Sequence, residues 1–312
     1  MSIWLIGSGA MAVDYAKVLI DLGEDFVVIG RSDDSAKVFE EATGVSVSTG
    51  GLARALGTNS TPKTAILAVG IEQLAATAEL LIGAGTKRIL MEKPGGINIA
   101  ELTFLEDLRR SSGSEISIGY NRRFYTSTLQ SEELIAEDGG VTSFDFEFTE
   151  WAHQIQHLRK PSRVMEHWAL GNSSHVMDLA FFLGGFPKEW NSWSAGALGW
   201  HPAASRFCGA GISERGALFS YHADWEAPGR WGIDVLTRKR RIIFRPMEKL
   251  LVIPLGSVDA KPVDLADRLD RDFKPGLYRQ TKAFLAQDLA RFCSLTDQVR
   301  HLQIYTQIAG YL

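Results

Sequence analysis

Residues 1–32 read MSIWLIGSGAMAVDYAKVLIDLGEDFVVIGRS, and this stretch decides the fold of the chain. Ile3–Ile6 is a short apolar run that predicts a buried strand, and residues 13–22 have the apolar spacing of an amphipathic helix. Phe26–Ile29 is a second apolar run and predicts a second strand. A strand, a glycine-rich turn, a helix and a second strand, in that order, are typical of the unit that binds dinucleotides.

The turn between the first strand and the helix reads GSGAMA over residues 7–12. Gly7 permits the tight turn, and Gly9 lets the backbone approach a pyrophosphate that binds the free N–H groups of the helix N-terminus. Ala12 replaces the third glycine of the pattern and still allows close packing of helix on strand. The cofactor contacts expected from this turn are Gly7, Ser8, Gly9, Ala10 and Met11.

The end of the second strand indicates which dinucleotide binds. An NAD-selective site has an Asp or Glu there, which bonds the ribose 2′-hydroxyl. This chain has Arg31 and Ser32 instead, followed by Asp33 and Asp34. A guanidinium and a hydroxyl suit a 2′-phosphate, so NADP(H) is expected in preference to NAD(H). The alternative is that Arg31 is a solvated turn residue.

Strands and helices alternate through residues 1–120, a pattern that predicts a doubly wound parallel sheet. Val69 and Gly70 follow one of these strands and are further expected cofactor contacts, because ligands of open α/β sheets bind at the carboxyl ends of the strands. The first domain is therefore predicted to be a Rossmann domain over residues 1–120.

The pattern changes after residue 120. Residues 141–151 alternate phenylalanines with polar residues, which is typical of an antiparallel strand with one buried face. More strands are predicted at residues 189–197, 204–212, 217–225, 231–237 and 240–244. One helix is predicted at 175–183, and a helical tail at 277–312. We predict a C-terminal α+β domain over residues 121–312, with a large, open, mainly antiparallel sheet and final helices that can pack back on the first domain.

Length, charge and cysteine usage narrow the class of protein. A chain of 312 residues is long enough for two packed domains. A net charge of -4 and a pI near 6.0 provide no basic field for nucleic acid or anionic membrane. Cys208 and Cys293 are too few for a disulfide framework and lie in apolar sequence, so a cytoplasmic protein is expected. No apolar run approaches the ~18 residues of a membrane span.

Glu92, Lys93 and Pro94 end a predicted parallel strand, on the ligand side of the sheet. We expect Glu92 and Lys93 to contact the cofactor. A lysine in the cleft beside the nicotinamide can supply a proton or hold a substrate oxygen, and the cleft can depress its pKa toward neutrality. The alternative is a surface lysine at a strand end.

Four motifs occur in order along the chain: GSGAMA at 7–12, EKP at 92–94, YNRRF at 120–124 and HVMD at 175–178. Together they resemble the Gfo/Idh/MocA family of NAD(P)-dependent sugar and cyclitol oxidoreductases over essentially the whole chain. The resemblance implies a Rossmann domain followed by an open-sheet domain that covers the nicotinamide and, in many members, mediates dimers or tetramers. It also implies a cis peptide before Pro94, which points Lys93 into the site, and a His175 that contacts or protonates the substrate.

The sequence departs from the family pattern in the segment that ends at His175. Family members often read Asp-x-Gly-x-His, whereas this chain reads GNSSH over residues 171–175, so Gly171 stands in place of the Asp. Asn172 is a candidate polar stand-in, and Asp178 is expected to support the local structure. Lys93 and His175 are therefore the acid/base candidates.

Three further residues are candidates for substrate contact. Tyr120 and Arg122 lie where the first domain meets the second along the chain. We expect them either to bind hydroxyls or a phosphate of the substrate, or to stabilise the junction between the domains. Trp168 is the tryptophan expected nearest the substrate. His153 and His157 have the i, i+4 spacing of a zinc helix without its catalytic Glu, so no metal is expected.

The expected activity is NADP(H)-dependent hydride transfer to or from a carbinol carbon of a sugar, cyclitol or nucleotide-sugar. Loss of the motif Asp favours an alternative class, a non-catalytic dinucleotide-binding sensor or regulator on the same fold. A third possibility is a reductase of a planar substrate, because biliverdin reductases share this architecture. The exposed sheet face expected over residues 141–244 predicts a homodimer or homotetramer.

Overall fold

The computed structural model of the chain describes residues 3–311. Its helices are α1 (Ala10–Asp21), α2 (Asp33–Thr43), α3 (Gly51–Thr58), α4 (Ile71–Gly83), α5 (Ile99–Ser112), α6 (Thr126–Glu137), α7 (Ala152–Ile155), α8 (Ser162–Glu166), α9 (Ser174–Gly184), α10 (Arg268–Asp272), α11 (Leu277–Leu285) and α12 (Leu295–Ile308). Its strands are β1 (Ile3–Ile6), β2 (Phe26–Ile29), β3 (Val47–Ser48), β4 (Thr64–Leu67), β5 (Arg88–Glu92), β6 (Glu115–Gly119), β7 (Ser143–Glu147), β8 (Pro187–Ala195), β9 (Arg206–Ser213), β10 (Leu218–Asp224), β11 (Gly232–Leu236), β12 (Arg240–Phe244), β13 (Leu251–Pro254), β14 (Lys261–Pro262) and β15 (Cys293–Ser294).

The chain divides into two compact units. Unit 1 comprises the residues up to Asn121 together with Leu269–Arg300, and unit 2 comprises Arg122–Arg268 together with the residues from His301 onward. The first division falls within one residue of the predicted domain boundary. Residues 269–300 belong to the first unit. The prediction counted them in the second domain and allowed its final helices to pack back on the first.

Unit 1 is built on a seven-stranded sheet in the order β15-β6-β5-β4-β1-β2-β3. Strands β1 to β6 are parallel, and β15 is antiparallel to β6. The apolar runs of β1 and β4 are buried along their whole length, as expected for parallel strands covered by helices on both faces. The predicted doubly wound parallel sheet is confirmed.

The strand order of unit 1 reverses at β1. The chain continues from β1 to β2 and β3 on one side and then crosses to β4 on the other, and Ile6 pairs with both Ile29 and Leu67. Loops that leave the carboxyl ends of β1 and β4 therefore run in opposite directions and open a crevice between them. This is where open α/β sheets bind their ligands.

Unit 2 is built on an eight-stranded sheet in the order β14-β13-β12-β11-β7-β10-β9-β8. Its pairs are antiparallel except β7 with β10, which run parallel. The phenylalanines of β7 are buried, and Phe146 packs edge-on against Phe181 of α9 at 5.3 Å between ring centroids. The predicted second domain with a large, mainly antiparallel sheet is confirmed.

The tail differs from the prediction of continuous helix over residues 277–312. Helix α11 ends at Leu285, and Cys293 then pairs with Ile118 of β6 before α12 begins at Leu295. This short strand forms hydrogen bonds with the backbone N–H and C=O groups on the free edge of β6. The gain from these hydrogen bonds outweighs the local preference for helix. Of the two cysteines, Cys293 is buried and Cys208 is exposed on β9.

Within residues 3–311, no helix is long and apolar enough to cross a membrane.

Candidate dinucleotide and substrate sites

A cavity of about 410 Å³ lies in unit 1 at the carboxyl ends of β1, β2 and β4. It is lined by the loops that follow these three strands and by the first turns of α2, α3 and α4. Among its lining residues are Gly7, Ser8, Gly9, Arg31, Ser32, Val69 and Gly70, all of which the sequence predicted as cofactor contacts. Predicted contacts Ala10 and Met11 form the first turn of α1.

Of the two glycines of the β1–α1 turn, the fold requires Gly7 and does not require Gly9. Gly7 has φ 122°, and a Cβ there would lie 2.4 Å from the carbonyl oxygen of Ala68, so the fold itself demands glycine. Gly9 has φ -88°, which any residue adopts. A Cβ on Gly9 would meet no heavy atom within 4 Å in the described chain beyond its immediate neighbours. The fold therefore does not require glycine at position 9, and its missing side chain leaves open space beside the cavity.

Helix α1 begins at this open space. Gly9 is its N-cap and supplies no side-chain hydrogen bond, and the first turn of the helix carries no acidic residue. The first N–H groups of a helix have no acceptor within it, and its macrodipole favours an anion at that end. The geometry thus fits a pyrophosphate, with backbone donors and no side chain in the way.

The β2–α2 turn contributes a cation and a chain of hydroxyls. The guanidinium of Arg31 is exposed, lines the cavity and makes no hydrogen bond or ion pair with residues 3–311. Ser35 lies 2.9 Å from Ser32 and 2.8 Å from Ser8, measured between hydroxyl oxygens. Glu72 at the start of α4 adds a carboxylate to the lining.

Lys93 follows directly after β5 and is half-buried, and the peptide bond between Lys93 and Pro94 is cis, as the family resemblance implies. The neighbouring Glu92 is buried and accepts a 2.7 Å hydrogen bond from the Tyr15 hydroxyl. That hydroxyl in turn accepts a hydrogen bond from Gln280 at 2.9 Å. Burial raises the pKa of Glu92. The hydrogen bond from Tyr15 and the positive charge of Lys93 act in the opposite direction but are outweighed by the burial. Glu92 thus belongs to an interior polar network of unit 1.

His175 lies in the first turn of α9 in unit 2 and is only 9% exposed. Its ring centroid is 6.4 Å from that of Trp231. The preceding turn, Ala169–Ser173, is π-helical and carries the predicted stand-in Asn172.

The carboxylate of Glu150 holds this π-helical turn. Its Oε1 accepts hydrogen bonds from Asn172 Nδ2 at 2.9 Å and from Ser173 Oγ at 2.7 Å. Its Oε2 lies 3.5 Å from a guanidinium nitrogen of Arg230. Glu150 is 1% exposed, and burial raises its pKa against these hydrogen bonds and the nearby charge.

Sequence reasoning missed Glu150, although a signal was present. The alternation that buries Phe144, Phe146 and Phe148 places residue 150 on the same face of an extended strand. A charged residue at a position that faces the core is unusual, because a buried charge requires hydrogen bonds or an ion pair.

The other predicted substrate contacts have varied environments. In unit 1, Tyr120 is buried, and its hydroxyl accepts a 3.0 Å hydrogen bond from Gln298, so its contact with substrate stays a prediction. In unit 2, Trp168 packs edge-on against Trp200 at 6.2 Å between ring centroids. Arg122, also in unit 2, lies 4.9 Å from the centroid of the Trp231 ring.

Asp178 has the supporting role expected for it. Its carboxylate accepts two hydrogen bonds from the buried guanidinium of Arg123, at 2.8 and 2.6 Å, and one from the hydroxyl of Tyr305 at 3.4 Å. A bidentate ion pair of this kind fixes α9, which carries His175 one turn earlier.

No group of three or more His, Cys, Asp or Glu residues in the described part of the chain is placed to hold a metal ion. His153 lies on α7, which ends at Ile155, and His157 falls beyond that helix. The zinc-helix spacing of these two residues is therefore not realised as one continuous helix.

A Rossmann unit with a crevice at its strand reversal, joined to a unit with a large open sheet, is the fold of a class of NAD-binding oxidoreductases. Neither a family model nor a curated protein sequence matches the chain.

Solved structures of this class match the chain over nearly its whole length. UDP-N-acetylglucosamine 3-dehydrogenase GnnA from Acidithiobacillus ferrooxidans is 17% identical, with a TM-score of 0.76 over 99% of this chain and 96% of that chain. Levoglucosan dehydrogenase in complex with NADH is 16% identical, with a TM-score of 0.79 over 100% and 97%. An oxidoreductase from Agrobacterium radiobacter in complex with NAD+, L-tartaric acid and magnesium is 14% identical, with a TM-score of 0.77 over 100% and 97%. Likeness at this level of identity defines the fold.

Proposed function

We propose that the protein is an NAD(P)-dependent oxidoreductase of the Gfo/Idh/MocA type, acting on a carbinol carbon of a sugar, cyclitol or nucleotide-sugar. The observation that carries the proposal is Gly9, a glycine that neither backbone conformation nor packing requires, placed where a helix N-terminus opens into a cavity. A ligand that approaches the backbone closely explains it. The structural neighbours include two enzymes named as dehydrogenases of a nucleotide-sugar and of levoglucosan.

NADP(H) is the proposed cofactor, with NAD(H) the weaker ligand. Arg31 lines the cavity with its guanidinium free of protein acceptors among residues 3–311, and Ser32 stands beside it. A phosphate on the adenosine ribose would give this guanidinium a charge-assisted partner. The bound nicotinamide supplies the hydride chemistry, and the protein supplies orientation and charge.

Lys93 and His175 are the proposed acid/base residues. Lys93 stands at the carboxyl end of β5, on the ligand side of the parallel sheet, and its half-buried side chain is suited to exchange a proton with a substrate oxygen. His175 is held on α9, whose neighbouring turn is tied down by Glu150 and whose body is tied down by Arg123 and Asp178. A histidine in so fixed a place suits a directed hydrogen bond to substrate.

The runner-up is a non-catalytic dinucleotide-binding sensor, which the absence of an Asp at position 171 favours. Glu150 weakens that argument, because it brings a buried carboxylate to the same turn from the segment that follows β7. We therefore place the enzyme first.

We also propose that the sheet of unit 2 forms the contact of a homodimer or homotetramer. Trp193 on β8 is 61% exposed and Leu218 on β10 is 59% exposed, and Ile212 on β9 is also exposed. Large apolar side chains on neighbouring strands are seldom left in water.

The first test is a fluorescence titration of the purified protein with NADPH and, separately, with NADH. Saturable binding, tighter for NADPH, is expected. Oxidation of NADPH with a panel of keto-sugars, or the reverse reaction with sugars and cyclitols, then tests turnover, which Lys93→Met is expected to reduce by at least ~100-fold.

Each outcome decides between the candidates. Binding of neither dinucleotide contradicts both the enzyme and the sensor. Binding without turnover on any substrate of the panel favours the sensor, and a Lys93→Met variant with full activity shows that the acid/base assignment is wrong.

A further inference from the structure

A second cavity, of about 320 Å³, lies entirely within unit 2. Three of its lining side chains are arginines that come from distant parts of the sequence. The full lining is Arg122, Arg230, Trp231, Arg245, Pro246, Met247 and Glu248. The charged groups of the lining are thus three guanidiniums and one carboxylate, and Arg122 is the guanidinium without an ion-pair partner among residues 3–311.

Arg122 has hydrogen-bond donors that the protein leaves unused. Its guanidinium carbon lies 4.9 Å from the centroid of the Trp231 ring and 5.7 Å from that of Tyr125. Its Nε is buried without a hydrogen-bond partner, and the guanidinium forms no ion pair with any residue between 3 and 311. A buried donor left unsatisfied destabilises the folded protein, and does so more strongly when it is charged. The described residues therefore provide no hydrogen-bond acceptor for the Nε of Arg122, and a bound ligand could provide one.

The other two arginines are held in place by carboxylates of unit 2. Arg245 donates to Glu147 at 2.8 Å, and Arg230 lies 3.5 Å from Glu150. Arg230 also lies over Trp231, 4.7 Å from the centroid of the ring. Arg245 Nε also lies 3.7 Å from Asp234. Each guanidinium has five N–H donors, so these carboxylate partners fix its direction and leave donors for a ligand.

The aromatic ring in this cavity is not placed to stack on a sugar. Trp231 is buried, and its ring already contacts two guanidiniums, those of Arg122 and Arg230. Glu248, the carboxylate of the lining, is engaged at 3.5 Å by the hydroxyl of Tyr125. The donors that remain are those of arginine, which match the two oxygens of a carboxylate or phosphate in a planar fork.

We propose that this cavity binds the oxyanion of a substrate, with Arg122 as the principal ligand and Arg230 and Arg245 as its neighbours. The proposal rests on the oxidoreductase function and narrows its substrate to polyhydroxylated molecules that carry a carboxylate or a phosphate. Neutral sugars and cyclitols, which the fold would also admit, are then poor substrates.

A matched series of ligands tests the charge requirement. D-Glucose, D-glucuronate and D-glucose 6-phosphate share one ring and differ in the group at carbon 6, and UDP-glucose adds a diphosphate at carbon 1. Binding is measured by isothermal titration calorimetry on the full chain, with and without saturating NADPH. The better of the two monosaccharide anions, or UDP-glucose, is expected to bind at least ~10-fold tighter than glucose, as one charge-assisted hydrogen bond requires. Comparing the affinity for glucuronate with the affinities for glucose 6-phosphate and UDP-glucose shows whether the site prefers a carboxylate or a phosphate.

Arg122→Gln is expected to weaken the anionic ligand at least ~10-fold and to leave glucose unchanged. Arg122→Lys keeps the charge but loses the bidentate fork, so an intermediate loss is expected. Arg238→Gln is the matched control, because Arg238 is an exposed arginine of the same unit outside this cavity, and it is expected to leave binding within about twofold. Far-UV circular dichroism and the NADPH titration verify that each variant is folded.

Two results would overturn the proposal: anionic ligands that bind no tighter than glucose, or an Arg122→Gln variant that binds them as the parent does. The proposed function fails separately. If anions bind and neither NADPH nor NADH does, the oxidoreductase is wrong and the anion site stands. If NADPH binds without a preference for anionic sugars, the anion site alone is wrong.

Discussion

The side-chain amide of Asn172 donates a 2.9 Å hydrogen bond to Glu150, a carboxylate 22 residues earlier in the chain. The same Oε1 accepts from Ser173, so one buried oxygen holds two consecutive residues of the π-helical turn. The family pattern has an aspartate at position 171 of this turn, where the chain has glycine. The acidic group of this region is thus Glu150, from the segment that follows β7, and Asn172 donates a hydrogen bond to it.

Glu150→Gln is expected to change the pH dependence of stability. Burial raises the folded-state pKa of Glu150, so the folded protein loses stability as pH rises from the unfolded value of 4.5 through the folded one. Gln keeps an acceptor oxygen and has no proton to lose. Relative to the parent, the variant should therefore gain about 1–3 kcal/mol in free energy of unfolding between pH 4.5 and pH 8.

Urea unfolding at the two pH values measures this difference. Glu166→Gln, at an exposed acid on α8, is the control and should show no such gain. A Glu150→Gln variant whose relative stability falls with rising pH would contradict the direction of the pKa shift.

The two glycines of the β1–α1 turn should respond differently to substitution. Gly7→Ala places a Cβ 2.4 Å from a backbone oxygen at φ 122°, so a loss of about 2–4 kcal/mol in free energy of unfolding is expected. A Cβ at position 9 meets open space, so Gly9→Val is expected to keep the melting temperature within a few degrees of the parent value while the affinity for dinucleotide falls at least ~10-fold. Thermal unfolding and NADPH titration of both variants make the comparison. Gly9→Val with unchanged NADPH affinity would remove the main support for the dinucleotide site.

Arg31→Ala tests the choice of cofactor. Loss of the guanidinium should raise the dissociation constant for NADPH about 10-fold or more, because a charge-assisted hydrogen bond to phosphate is lost, and should leave NADH within about twofold. Lys37→Ala, at an exposed residue of α2, controls for a simple loss of positive charge. Equal losses for both dinucleotides would mean that Arg31 does not distinguish the 2′-phosphate.

Glu106 of α5 should show the opposite pH dependence to Glu150. The hydrogen bond from Arg109, at 2.7 Å, is the main cause that lowers the pKa of Glu106 to about 2. A lowered folded-state pKa contributes stability above the unfolded value of 4.5, and this contribution is lost as pH falls through about 2.

Glu106→Gln should therefore cost about 1–3 kcal/mol at pH 7, and the gap to the parent should narrow steadily below pH 5. Urea midpoints across this range provide the measurement, with Glu79→Gln on the exposed face of α4 as the control. A gap that stays constant with pH would mean that Glu106 acts through packing rather than through its charge.

The Rossmann strands of unit 1 were predictable because their signal is local. Ile3–Ile6 and Phe26–Ile29 are apolar runs that end at glycine. Burial on both faces of a parallel sheet explains this pattern along the whole of β1 and at Val28 and Ile29 of β2. The strand at Cys293–Ser294 had no such signal. It exists because β6 has a free edge, which is a property of the assembled sheet.

The same distinction applies to the sites. The loops that line the dinucleotide cavity follow predictable strands, so their residues could be named from the sequence. Arg230 and Arg245 could not, because an isolated arginine has no periodicity, and only the folded sheet of unit 2 brings them to one cavity with Arg122. Tyr120 was predicted from a motif that does not report burial, and it lies in the interior.

Each unit is made from two separate stretches of the chain, and this governs the order in which a ribosome can deliver it. The first 121 residues emerge without the strand that covers the edge of β6 and without Gln280, which completes the network of Tyr15 and Glu92. In unit 2, helix α9 and the loop after it likewise lack His301, whose ring stacks on Phe186 at 3.5 Å, and Tyr305, which donates to Asp178. Neither unit has all of its packing partners until residue 305 has been added, so a nascent chain stalled after β14 would expose the unfinished surfaces of both units to chaperones.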